Sequence, residues 1–174
     1  HIILVPMDFS DSSLNAVYYA VEMADLFDSE ITLLHVLSNS TLQSLFTNDS
    51  EIALLRDKVR NKLEETKDEI LAKWPAMRVN TMVAEGKPYK VINRVATENK
   101  TDTIVMGTNG VNGMETFTGS TTSRVLKSSK IPVIAVKEKQ TNPKFNKIVL
   151  PIDLTKTSRQ KIDWAVKIGM KYNS

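Results

Sequence analysis

The sequence predicts an α/β fold: a five-stranded, mostly parallel sheet with helices on both faces. Three observations carry that prediction. Short, continuous apolar runs rich in Ile and Val recur along the chain, as strands buried on both faces require. Segments whose apolar residues recur at helical spacing lie between them. The stretches between successive runs are long enough for crossover connections, so neighbouring strands run parallel.

Ile2–Val5 is the first such run, ended by Pro6, Met7 and Asp8. Ser10 or Asp11 offers an N-cap, and Leu14, Val17, Val21 and Ala24 follow at helical spacing, which predicts a helix over 11–28. Ile31–Leu37 is the second strand. Ser38–Ser50 is polar and turn-like, anchored only by Leu42, Leu45 and Phe46. Ile52, Leu55, Val59, Leu63 and Ile70 mark a long amphipathic helix that must end before Pro75. Met77–Ala84 alternates and reads as a third strand. Glu85-Gly86-Lys87-Pro88 is a turn, and Pro88 suits the first turn of a helix carrying Val91, Ile92 and Val95. Thr103–Met106 is a short buried strand, followed by a Gly-rich loop from Gly107 to Gly119. Ser120 opens a short helix with Val125 and Leu126 inside, and Ile131–Val136 is the fifth strand.

The chain has 174 residues, 41% hydrophobic and 25% charged, which is ordinary globular composition and argues against disorder. No apolar run reaches the roughly 18 residues of a membrane span, so no membrane partner is expected. The absence of cysteine excludes disulfides, zinc–thiolate sites and thiol catalysis. His1 leads straight into a strand-like run with no signal peptide in view, and the expected location is the cytoplasm. The net charge of +3 suggests an anionic partner until the charges are placed. Residues 145–174 hold six basic groups (Lys147, Lys156, Arg159, Lys161, Lys167 and Lys171) against Asp153 and Asp163, and the rest of the chain is near neutral. A nucleic-acid face would mark the folded domain itself, so none is expected.

An internal repeat accounts for that basic tail. Shifted by 145, KIVLPIDLTKTS from Lys147 lies on IILVPMDFSDSS from Ile2. Ile3, Pro6, Asp8, Ser13, Ala20, Val21 and Ser29 match Ile148, Pro151, Asp153, Ser158, Ala165, Val166 and Ser174, seven identities in 29 positions. Average composition gives roughly two. The expected organisation is therefore one domain over 1–138, a linker over 139–145 containing Asn142 and Pro143, and a β–α fragment of a second copy over 146–174, cut off at Ser174.

In parallel sheets ligands bind beyond the carboxyl ends of the strands, where strand order reverses. Two features sit at such ends: Asp8 after the first strand and the glycine loop after the fourth. Gly107, Gly110, Gly113 and Gly119 are four of the six glycines, and glycine lets backbone amides face an anion. Ser120 and Thr121 then begin a helix, whose free N–H groups favour phosphate. The plainer alternative is a loop with a Ser N-cap. It is no Walker loop, because no Gly-Lys-Ser/Thr follows. Asp8 either helps cap the first helix or accepts hydrogen bonds from a ligand amine or ribose hydroxyl.

The pieces IILVPMDFSDSS, ITLLHV, VAEGKPYKVI, IVMGTNG and GSTTSRVLKSSKIPVIAVK together resemble the universal stress protein family, over residues 2–137. The resemblance implies a Rossmann-like fold of the adenine nucleotide alpha hydrolase kind and, in the family's nucleotide-binding branch, ATP or another adenine nucleotide as ligand. There the family's loop is Gly, two residues, Gly, nine residues, Gly-Ser. Gly107 and Gly110 keep the first spacing, but only eight residues separate Gly110 from Gly119-Ser120. Carried over residue by residue, Asp8 would bind adenine with Pro6 and Met7 near the base. Val36 would contact adenine or ribose through its backbone, and Met106 and Gly107 would line the ribose side. Gly110, Gly119, Ser120 and Thr121 would hold phosphates. Asn109 stands where a His, Arg or Lys is common. The resemblance further implies pairing of units through the last strand, Ile131–Val136, either in a homodimer or between tandem domains.

Other candidates read as structural. His35 lies in the second strand between Leu34 and Val36, with no second internal His to build a metal site. Glu51–Lys73 alternates in charge sign, as a solvated helix face does, and would otherwise face a partner. Met7, Met82 and Met106 suit core or pocket wall, and Tyr89 and Trp164 suit packing. No general base or nucleophile stands near the loop, so ATP hydrolysis should be slow at most. Mg²⁺ would arrive only with a triphosphate. The expected function is that of a nucleotide-binding stress sensor or regulator; the alternative is a family member that no longer binds nucleotide and serves as a dimerisation or interaction module.

Overall fold

The computed structural model describes residues 1–39, 49–108, 120–136, 147–150 and 156–174. The elements run β1 (Ile2–Pro6), α1 (Asp11–Phe27), β2 (Glu30–Leu37), α2 (Asp49–Lys73), β3 (Val79–Glu85), α3 (Pro88–Glu98), β4 (Thr103–Gly107), α4 (Ser120–Ser128), β5 (Val133–Val136) and α5 (Lys156–Tyr172). The chain divides into two units, His1–Lys139 and Gln140–Ser174. Among the described residues no helix is long and apolar enough to cross a membrane.

The first unit holds one five-stranded sheet in the order β3-β2-β1-β4-β5, and every pair is parallel. Alternation along each strand sends side chains to opposite faces. Ile3, Val5, Ile31, Leu33 and Val105 join Ala16, Ala20, Val59, Leu63 and Ile70 in the cluster beneath α1 and α2. Leu4, Leu34, Ile104 and Met106 join Val91, Ile92, Val95 and Val125 beneath α3 and α4. Helices therefore cover both faces, and both sides of each central strand are dry. That is why these strands read as continuous apolar runs.

Four details depart from the sequence expectation. Leu14 is 43% exposed, beside exposed Tyr18, because the sheet-facing strip of α1 is made of Ser13, Ala16, Val17, Ala20 and Ala24 and Leu14 lies on its flank. Leu126 is 49% exposed while Val125 is fully buried, because consecutive helical residues point about 100° apart. The inward pair on α4 is Thr122 and Val125, three residues apart. β5 begins at Val133 and not at Ile131. Pro132 has no N–H for the ladder, and the Ile131 N–H donates to Ser129 Oγ at 3.0 Å. Finally, β3 starts at Val79, which faces Ile31 in the parallel register, and Met77 precedes it as a partly buried packing residue.

In the second unit, α5 spans Lys156–Tyr172. Lys147–Leu150, expected to open a strand, is not in one. A strand is defined by its partner, and no segment among the described residues pairs with it. Residues 151–155, with Asp153, lie outside the described residues, as does the side chain of Trp164. The loop anchors Leu42, Leu45 and Phe46 lie outside them too.

Candidate functional site

Strand order reverses between β1 and β4: the chain builds β1, β2 and β3 in one direction and then returns to the other side of β1 for β4 and β5. The carboxyl ends of β1 and β4 are therefore neighbours, at the crevice where parallel sheets hold ligands. The two features singled out in the sequence, Asp8 and the segment beginning at Gly107, follow those two ends.

At the end of β1, the Met7 N–H donates to Leu34 O at 2.8 Å, and its side chain is buried, so only its backbone can face a ligand. Pro6 is half-buried and Asp8 is exposed. Asp8 does not itself cap α1. Ser10 is the N-cap, its Oγ accepting from the Ser13 N–H. Asp8 Oδ1 accepts both the Ser10 N–H, at 3.0 Å, and the Ser10 hydroxyl, at 2.5 Å. Oδ2 accepts no hydrogen bond among the described residues. One carboxylate oxygen thus secures the turn and the other is available. The two readings of Asp8, helix entry or ligand acceptor, are compatible because they use different oxygens.

Across the crevice, Met106 is buried in the α3–α4 core. Gly107 is needed for packing: a Cβ there would stand 2.5 Å from Ser12 O and 2.7 Å from Ser12 Oγ, so the first turn of α1 is pressed against the end of β4. Gly107 O accepts the Thr122 hydroxyl at 2.8 Å, which ties the start of α4 to the same end. The amino termini of α1 and α4 therefore both meet the carboxyl edge, and the positive end of a helix dipole favours an anion. Thr121 is half-buried in the first turn of α4, and Val36 is half-buried on β2, paired with Ala84. Asn109, Gly110 and Gly119 lie outside the described residues, as does the Ser120 side chain. Among the described residues no group of three or more His, Asp or Glu could hold a metal. A cavity of about 330 Å³ lined by Ala24, Trp74 and Met77 opens at the opposite, amino edge and contains none of these residues.

Sequence reasoning read His35 as structural and did not single out Phe9, and the two meet here. His35 is half-buried, with Nδ1 2.8 Å from Met7 O and its ring stacked on Phe9. Phe9 itself has φ 62°, a left-handed conformation. The sequence did hold a signal for His35. It shares a strand face with buried Leu33 and Leu37, and lies near the carboxyl end of the strand paired with β1.

Burial lowers the His35 pKa from its ordinary 6.5; the Met7 carbonyl and the Asp8 carboxylate oppose the shift, and Lys62 adds to it. Protonated His35 is thus less favourable in the folded chain than in the unfolded one. Its stability contribution is full above pH 6.5 and is lost as pH falls below it. The melting temperature of the chain should fall between pH 7.5 and 5.5, and fall less in His35→Asn, which does not titrate there. Equal slopes for the two proteins would contradict this.

The family model described as "Universal stress protein family" matches residues 1–137. Universal stress protein MJ0531 of Methanocaldococcus jannaschii is 34% identical over 140 residues, covering 78% of this chain and 81% of that relative. The solved structure of the protein PH0823 is 32% identical, with a TM-score of 0.69, covering 82% of this chain and 99% of that one. A universal stress protein solved in complex with cAMP is 24% identical, with a TM-score of 0.59, covering 80% of this chain and 98% of that one. At that identity the likeness is one of fold.

Proposed function

The chain belongs to the universal stress protein family, and from that premise we propose that it binds an adenine nucleotide at the carboxyl edge between β1 and β4, as a stress sensor or regulator. One observation carries the reading. Asp8 is exposed at the strand-order reversal and held there by one oxygen, and the other accepts no hydrogen bond among the described residues. In this reading Oδ2 accepts from the adenine amine or a ribose hydroxyl, and the backbones of Pro6, Met7 and Val36 face the base. Met106 and Gly107 offer backbone to the ribose. Asn109, Gly110, Gly119, Ser120 and Thr121 serve the phosphates, with α4 contributing its first-turn N–H groups. Mg²⁺ enters with a triphosphate, held mainly by its oxygens. That the fold holds cAMP in another protein agrees with this reading, which rests on the residues of this chain.

The test is calorimetric titration of the purified chain with AMP, and with ATP plus Mg²⁺, for wild type and Asp8→Asn. Asparagine keeps an acceptor for Ser10 but puts an NH₂ where Oδ2 stood. The variant should keep its melting temperature and bind at least about tenfold more weakly, the worth of one charged hydrogen bond. No heat with either nucleotide, or equal affinity in Asp8→Asn, would overturn the proposal.

A second reading, a module that pairs without nucleotide, has its own observation. β5 is an edge strand, joined among the described residues only to β4. Its free side could pair with a second copy, or with a second domain begun by residues 146–174. A dimer in sedimentation together with a silent nucleotide titration would favour this reading.

A further inference from the structure

Four non-glycine residues among those described have positive φ: Phe9, Asp28, Lys100 and Asn173. Three follow helices, where a left-handed residue closes the last turn. Phe9 instead precedes a helix, and it is the only aromatic of the four. An aromatic side chain in this region is strained and persists only when its surroundings over-determine it. Here they do. The Phe9 ring stacks on His35, with centroids 5.0 Å apart and planes 21° apart. Lys62 of α2 places Nζ 4.6 Å from the Phe9 centroid. His35 Nδ1 lies 2.8 Å from Met7 O. A carbonyl can only accept, so Nδ1 carries the proton. The residues on either side of Asp8 are thus each fixed, Met7 by a hydrogen bond and Phe9 by a stack, and His35 makes both contacts.

We propose that His35 and Phe9 are positioning residues that clamp the Met7–Asp8–Phe9 turn and aim the Asp8 carboxylate at the adenine nucleotide, with Lys62 seating the Phe9 ring from α2. The proposal rests on the nucleotide reading of the crevice and adds what sets the affinity there. Neither ring needs to touch the ligand. The strain at Phe9 is the cost of a turn that holds Asp8 in one orientation before a ligand arrives, which spares the ordering cost on binding.

Phe9→Gly separates this role from a merely structural one. Glycine adopts φ 62° without steric strain, so the variant removes the strain and the stack together. If Phe9 only filled space at a helix entry, the glycine variant would bind AMP as wild type does. The clamp requires about tenfold weaker binding in Phe9→Gly and in His35→Ala, with no further loss in the double variant, because both remove one device. Phe9→Tyr, which keeps the stack, should bind within about twofold of wild type. Amide hydrogen exchange without nucleotide gives a second readout: the Ser10 N–H, which donates to Asp8 Oδ1, should exchange about tenfold faster in Phe9→Gly. Wild-type AMP affinity in both single variants would overturn the proposal, as would unchanged Ser10 exchange. If wild type binds no AMP, the nucleotide reading falls and the aiming role with it, while Ser10 exchange still reports whether the two rings hold the turn.

Discussion

Gly107→Ala should lower the stability of the first unit by about 3 kcal/mol, at the upper end of ordinary overpacking. The added methyl would meet backbone, since the ideal Cβ lies 2.5 Å from Ser12 O and 2.6 Å from Ser12 C. Neither side yields cheaply. The first turn of α1 is held by the Ser10 cap and by Asp8 Oδ1. Gly107 sits in the β4–β5 ladder opposite Val136, with its carbonyl bound to Thr122. The least costly relief is for α1 to lift from the end of β4, which opens the crevice beside Asp8. Denaturant unfolding of wild type and variant checks the figure, and a melting temperature about 10 °C lower should accompany it. A midpoint within error of wild type would mean that α1 can shift freely. This glycine therefore has a packing role beside the one proposed for its backbone at the ribose: its contacts require it at a helix entry.

What the sequence made legible follows from where water is excluded. Ile2–Val5, Ile31–Leu37 and Thr103–Met106 announce themselves because both faces of those strands are covered, and with the helical segments between them they imply the parallel sheet. Asp8 and Gly107 could be placed at carboxyl ends because each directly follows an apolar run. The limits are equally physical. Leu14 and Leu126 are apolar, but which part of a helix faces inward is decided by the small residues that let it approach the sheet, such as Ala16 and Ala20. The start of β5 depends on Pro132 and on a hydroxyl, Ser129, that captures an amide. The left-handed turn at Phe9 has no signature in residue type, because phenylalanine is among the residues least suited to it. The contact of His35 with Met7 exists only through the register that sets Pro6 beside Leu34, and one residue of slip would send the imidazole to the other face.

The second large effect is expected on α2, at an apolar side chain that is no part of the proposed site. Leu63→Ala should cost about 3 kcal/mol, within the range for buried leucine truncation. α2 is 25 residues long and charge-rich, yet only Val59, Leu63 and Ile70 on it are buried, and Leu63 is the one with no exposure at all. Leu55 and Leu71 pack against the same cluster only partly buried, and its other ties are polar and lie near solvent: Arg56 to Glu85, Glu64 to Thr81, and the Asp57–Arg60 and Glu64–Lys67 pairs within the helix. Such exposed pairs contribute little each, so they offset little of what the one fully buried leucine of the helix supplies. The loss should reach the crevice, because Lys62, the residue before Leu63, carries the cation over the Phe9 ring. Unfolding of Leu63→Ala with a midpoint shift worth less than about 1 kcal/mol would show that α2 is docked by its polar ties after all. If the full loss is found together with faster Ser10 amide exchange, then one buried leucine on a solvated helix supports the aim of Asp8 through Lys62 and Phe9.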